Sequence, residues 1–402
     1  MKNKYSVSVL ALILITTIIK LVLIFIYPEI LSVHSDDINY YMSSLYFLKR
    51  GVLTYRTFNE ATVFIMPLYP LFVSGVLKIF GIGFWGLQAV RIIQTGLSAL
   101  SILFVYLTTK KLFNKKAGLI SAVIFSFYPP NLVTPGYILT ECLFTFILLA
   151  LIYFSFKFAD NLSISKAAIL SLIWIIAVFC RPTVLFYPCF YLLYIFINKY
   201  YRLSQCIKYG ITMALIFILS ALPWWVRNYN EYQTFIPLTA SSGNPLLQGT
   251  YINYIQTPEN TTNYEVGKTA LETDNIESNV AFKRIREGFK NHFLKYLCWY
   301  TLGKTFYFWT IPFYWTDVIG ISFGLAVVYH FFIIITAIYV VFKGVRERLF
   351  MKISLIVFIA LYFNFVHCVY MSFDRYAYPI IGVMCIYCGA AFVSSKNIKN
   401  KF

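Results

Sequence analysis

Long apolar runs separated by short charged gaps recur along this 402-residue chain. A run of about 20 apolar residues crosses a bilayer core as a helix, and backbone there must satisfy its hydrogen bonds internally. The first run is Val7 to Tyr27. It follows Met1-Lys2-Asn3-Lys4 in the manner of a signal peptide, but it is too long for one and no small-residue cleavage site follows. It reads as an uncleaved span. Further spans are expected at 84–108, 118–134, 138–158, 167–180, 183–198, 208–226, 318–342, 353–371 and 376–394, about ten in all. With 59% hydrophobic and 12% charged residues, against about 25% charged in a soluble domain, the chain is not a soluble globular enzyme, a disordered chain or a disulfide scaffold. The expected fold class is all-α, a polytopic membrane protein forming one domain over 1–402.

The net charge is +18. A nucleic-acid surface needs basic residues clustered on one solvated face. Here they fall in gaps between apolar runs, so no nucleic-acid partner is expected and the positive-inside rule applies. With the N-terminus cytoplasmic, the inner gaps collect Lys2, Lys4, Lys110, Lys111, Lys115, Lys116, Lys157, Lys166, Lys199, Arg202, Lys208, Lys343, Arg346, Arg348, Lys352, Lys396, Lys399 and Lys401. Of the 16 acidic residues, only Asp160 and Glu347 lie inside. This places both termini in the cytoplasm, in a multi-pass plasma-membrane protein. Two long segments then lie outside, 28–83 and 227–317. The first holds half-apolar stretches, Tyr40 to Leu48 and Leu68 to Phe80, that read as interfacial helices. The second holds an amphipathic stretch through Ile276, Val280, Ile285, Phe289 and Leu297. No internal repeat is visible.

Polar residues at the ends of apolar runs are the candidates for chemistry. Asp36 and Asp37 follow the first span; an adjacent acidic pair suits a general base or a divalent-cation site, and equally a solvated loop. Glu141 opens an otherwise uncharged span, where it caps a helix or faces the same outer cavity as Asp36. Arg181, Arg227 and Arg375 recur at outer span ends, as snorkelling anchors or as bidentate phosphate contacts. His34 and His367 read as core or interface histidines before metal ligands, and Cys385-x-x-Cys388 as helix packing.

Several motifs, in order, carry a resemblance. They are Asp36-Asp37-Ile38-Asn39-Tyr40, Phe64-Ile65-Met66-Pro67-Leu68-Tyr69, Leu139-Thr140-Glu141-Cys142-Leu143-Phe144, Arg181-Pro182, Pro223-Trp224-Trp225-Val226-Arg227-Asn228-Tyr229, Gly243-Asn244-Pro245-Leu246 and Arg375-Tyr376-Ala377-Tyr378-Pro379. The ordered set resembles the GT-C glycosyltransferase superfamily, in the branch of protein O-mannosyltransferases and lipid A aminoarabinose transferases. The resemblance implies inverting transfer of a sugar, hexosyl or pentosyl, from a polyprenyl-phosphate donor to an acceptor hydroxyl at the outer face. It makes Asp36 the base or metal ligand, with Asp37 its acidic partner and Glu141 a further acidic position. It puts Arg181, Arg227, Arg375 and Tyr376 at the donor phosphate. A divalent cation (Mg, Mn or Zn) at Asp36 and Asp37, membrane lipid, and a glycan, lipid or protein acceptor are the implied partners. Aminoarabinose-type members carry Glu and Lys before the proline matching Pro67; here those places hold Ile65 and Met66, so the same metal site and sugar are not implied. The alternatives are a transporter or lipid-glycan flippase, and a glycan ligase or polymerase. Against the first, charges gather at one face and repeat symmetry is missing.

Overall fold

The computed structural model describes residues 4–57, 60–347 and 349–393. Lys2, Arg348, Lys396, Lys399, Lys401 and the expected end of the last span lie outside the described residues. In chain order the helices are α1 (Lys4–Ile26), α2 (Asp36–Arg50), α3 (Leu68–Phe80), α4 (Phe84–Leu112), α5 (Lys115–Ser126), α6 (Pro129–Val133), α7 (Thr140–Phe158), α8 (Ile164–Cys180) and α9 (Tyr187–Ile197). There follow α10 (Leu203–Tyr232), α11 (Gly243–Gln248), α12 (Ala270–Asn291), α13 (Phe293–Cys298), α14 (Lys304–Thr310), α15 (Phe323–Arg346), α16 (Phe350–Val369) and α17 (Asp374–Ala391).

Six of these, α1, α4, α7 with the short turn after it, α10, α15 and α16, are long and apolar enough to cross a membrane. The pair α5 and α6 makes a seventh if its two halves count as one crossing. The chain is thus a multi-pass membrane protein. The expected interfacial stretches appear as α2 and α3.

Several segments depart from what the sequence led us to expect; the stretches expected as spans at 167–180 and 183–198, for example, form the shorter apolar helices α8 and α9. The expected straight span at 118–134 is broken, with its halves bent by 69°. The cause is Pro129-Pro130: proline has no N–H to donate and pushes the preceding Tyr128 into an extended conformation (ψ 119). The carbonyl of Phe125, whose regular helical partner would be the missing N–H of Pro129, accepts from Asn131 Nδ2 at 2.9 Å. The span expected from 318 begins only at Phe323, where the Ser322 hydroxyl accepts from the amide of Leu325 and caps α15.

α4, α5, α7 and α17 form the centre of the bundle, and α7 is buried along most of its length. Small residues let the backbones close in, as is usual without a hydrophobic drive between helices in lipid. A Cβ at Gly389 of α17 would sit 1.9 Å from the Ala117 carbonyl of α5. Thr109 of α4 and Ser121 of α5 both donate to the Ile386 carbonyl of α17. Lys20 of α1 is buried here too, donating to Ser98 Oγ at 2.6 Å. Ser98 donates on to Asn131 Oδ1, which also accepts from the Tyr378 hydroxyl. By contrast α10 turns an apolar face outward, with Leu215, Leu219 and Val226 exposed.

Candidate active site

Successive spans alternate in direction, so the end of α1, the starts of α4, α7 and α17 and the end of α8 share one end of the bundle. Most of the charged residues singled out from the sequence sit there. The chain leaving α1 is clamped by Arg91 of α4, whose guanidinium donates to the carbonyls of Pro28 (2.8 Å), Leu31 (3.2 Å) and Gly136 (2.8 Å). Asp37 closes the same turn, accepting from the Ser32 hydroxyl and the amides of Val33 and Ser35. Both its oxygens serve the local backbone.

Asp36 is the first residue of α2 and points the other way. Its Oδ1 accepts from the Tyr55 hydroxyl at 2.8 Å and its Oδ2 from Arg375 Nη2 at 2.6 Å. Burial alone would push this carboxyl up. Arg375, the Tyr55 hydrogen bond and Arg56 outweigh burial and hold it below its ordinary value.

Glu141, in the first turn of α7, is fully buried. Its Oε1 accepts from Arg181 Nη2 and lies 3.7 Å from Arg375 Nε. Arg181 is held extended by the following Pro182, and its Nε donates to Thr140 Oγ1 at 2.7 Å. The result is an alternating chain of charges, Asp36, Arg375, Glu141, Arg181, built from α2, α17, α7 and α8. The Tyr376 ring lies between the two guanidiniums, 5.5 Å from that of Arg181 and 5.3 Å from that of Arg375, a cation–π arrangement. His367 packs edge-on to the same ring. Among the described residues, Arg375 Nε is a buried donor with no hydrogen-bond partner.

The structure therefore gathers Asp36, Glu141, Arg181, Arg375 and Tyr376. Asp37 lies beside them but bonds within its own turn. Arg227 is not in the cluster. It donates to the Thr62 carbonyl (2.7 Å) and to Asn228 Oδ1, and stacks on Trp224. It holds down the strap that connects α2 to α3, described over 51–57 and 60–67. Two residues of the site had no role assigned from the sequence: Tyr55, in that strap, and Thr140, visible there only inside a motif. Nothing in spacing or periodicity marks Tyr55.

The carboxylates do not make a cation site as they stand. Asp36, Asp37 and Glu141 are each committed to protein donors, and no group of three His, Cys, Asp or Glu side chains suited to a metal forms among the described residues. His34 is exposed on the loop before α2. Cys385 and Cys388 are free thiols buried in α17.

Residues 65–225 match the family model described as dolichyl-phosphate-mannose-protein mannosyltransferase. No curated protein matches the chain. Solved structures do. An oligosaccharyltransferase of Archaeoglobus fulgidus in its apo form aligns with 95% of this chain and 50% of its own, at 14% identity and a TM-score of 0.57. The same protein in complex with Zn and sulfate aligns with 94% of this chain and 48% of its own, at 14% identity and 0.56. ArnT from Cupriavidus metallidurans, bound to undecaprenyl phosphate, aligns with 100% of this chain and 62% of its own, at 11% identity and 0.55. The chain has the GT-C fold. It spans about half to three-fifths of the length of these GT-C structures. The likeness runs through the whole bundle, so the charge chain sits within the shared fold.

Proposed function

We propose that this protein is a membrane glycosyltransferase that moves a sugar from a polyprenyl-phosphate donor to an acceptor hydroxyl, with inversion, at the outer face of the membrane. The observation that carries this reading is the cluster itself. Two guanidiniums flank the buried Glu141, and one of them, Arg375, has a buried Nε that makes no hydrogen bond, 3.7 Å from Glu141 Oε1, while its Nη2 touches Asp36. An unpartnered buried donor is costly, and a phosphate oxygen beside Glu141 would satisfy it.

In this reading Arg181 and Arg375 bind the phosphate of the donor. The acceptor hydroxyl attacks the anomeric carbon from the opposite side and its proton passes to Asp36. The new C–O bond forms as the anomeric bond to phosphate breaks, and the lipid phosphate leaves with that electron pair. Negative charge grows on the phosphate as the sugar departs, so fixed cations help the transition state more than the ground state. One displacement, with attack opposite the breaking bond, inverts the centre.

The undecaprenyl phosphate bound to ArnT supports a lipid-phosphate donor, and the Lys/Arg bias supports the outer side. Zinc occurs in one related structure; the carboxylates here are engaged by protein donors, and no step needs a metal. The acceptor is a glycan, a lipid or a protein. In proteoliposomes, sugar should transfer from a polyprenyl-phosphate sugar, and Asp36→Asn should cut it by about 10²–10⁴. Transfer from a nucleotide sugar with no lipid donor present would overturn the reading.

A further inference from the structure

The two oxygens of Asp36 are held by different parts of the chain. Oδ2 faces Arg375, a member of the charge chain; Oδ1 faces Tyr55, whose ring lies 5.9 Å from the Arg56 guanidinium. Tyr55 is only 4% exposed. Its ring stacks on Phe64 at 5.5 Å and 14° and meets Tyr40 of α2 at 5.3 Å, while Arg56 covers Phe64 at 4.5 Å. The strap that carries it is pinned at several places, among them the Ala61 carbonyl, which accepts from the Tyr232 hydroxyl. The Thr62 amide donates to the Leu53 carbonyl (2.8 Å), the Ala240 amide to the Val63 carbonyl (2.9 Å), and Arg227 to the Thr62 carbonyl. The hydroxyl direction is thus fixed by packing on one side of Asp36, and the strap is fixed by the segment that follows α10.

A carboxylate held at one oxygen only can turn about its Cβ–Cγ bond and exchange its two oxygens. We propose that Tyr55 is a positioning residue for Asp36: it keeps Oδ1 as a permanent acceptor, so that Oδ2, the oxygen covered by Arg375, is the one that receives the acceptor proton. The inference rests on the base role of Asp36 given above. Tyr55 takes no proton itself. Burial, and then Tyr40 and Asp36, push its hydroxyl far above the ordinary tyrosine value, so it stays a donor.

The test is Tyr55→Phe, which keeps the ring and its stacking and removes only the donor. A hydrogen bond to a charged group corresponds to about ten- to a hundredfold in an equilibrium or a rate. Turnover should fall by roughly that factor, with the donor KM within about twofold. The acid limb of the pH–rate profile should move up, because the charged form of Asp36 loses a donor. In an Asp36→Asn background, Tyr55→Phe should cost nothing further, since its effect runs through the carboxylate. Normal turnover and an unmoved acid limb in Tyr55→Phe would overturn the proposal, as would a full additional loss in the double variant. Should Tyr55→Phe not fold, Phe64→Leu loosens the same hydroxyl without removing it; the limb should move the same way, and an unmoved limb again counts against the proposal. An active Asp36→Asn enzyme is a different result: it removes the base role itself.

Discussion

Arg375 donates from Nη2 to Oδ2 of Asp36 across 2.6 Å, joining the first turn of α17 to the first turn of α2 over 339 residues of chain. The ion pair neutralises the carboxylate proposed as base and the cation proposed to bind the donor phosphate. In the reading proposed above, a lipid phosphate that takes Nη2 of Arg375 as well as its free Nε displaces Asp36 and frees the oxygen that is to accept the proton. Donor binding then comes before base action.

This competition can be measured. Asp36→Asn removes the internal rival for Arg375, so undecaprenyl phosphate should bind severalfold more tightly to the variant in nanodiscs. Transfer should fall by about 10²–10⁴, the usual contribution of general base catalysis. Equal or weaker binding would mean that the phosphate does not compete for this arginine.

The pH dependence has a definite sign. Asp36 is held below its ordinary value, so its charged form favours the folded state. That stability is present above the ordinary carboxylate range and is lost as pH falls through the lowered value. Activity follows the same direction, because the base must be ionised. Arg375→Gln removes the main favourable charge, so both the acid limb of activity and the acid edge of thermal stability should shift upward. A limb unchanged in Arg375→Gln would assign the titration to another group.

Glu141 and Arg181 form a buried pair. Removing the cation strands a carboxylate that has no water to turn to. Arg181→Ala should destabilise by about 3–5 kcal/mol, the usual cost of breaking a buried pair from one side, read as a loss of melting temperature in detergent. Arg181→Lys should keep most stability while losing activity, since a point charge cannot reproduce the two-pronged contact to Thr140 and Glu141. Equal stability of the two variants would show that the pair is not the support.

Chelation distinguishes the two roles given to Asp36 by the sequence. With its oxygens bound to Tyr55 and Arg375, transfer should survive EDTA. Loss of activity restored by Mn or Mg would make Asp36 a cation ligand in the working enzyme.

The helices were legible because apolar length is written residue by residue. So were Asp36, Glu141, Arg181 and Arg375, because a charge at the end of an apolar run stands out. Distance in sequence concealed the rest. Arg227 and Arg375 look alike in one dimension, each a cation beside aromatics, and only folding shows that one meets a carboxylate and the other a strap carbonyl. Asp36 and Asp37 look equivalent until successive side chains at a helix start point to different partners. Tyr55 is one of 33 tyrosines and acquires meaning only from what its hydroxyl reaches. The break at Pro129-Pro130 was readable from proline chemistry but lay inside an otherwise uniform apolar run.

Lys20 bears on how the protein is made. An ammonium at the centre of a helix costs about 2.5–3.5 kcal/mol on insertion scales; Lys20, six residues from the end of α1, carries part of that cost. Its partner Ser98 and the relay residue Asn131 are synthesised some 78 to 111 residues later. The first helix therefore enters the bilayer as a poor tenant and settles only when α4 and the broken segment arrive, so its final depth is a late event in biogenesis, and Lys20→Leu should free it to settle early.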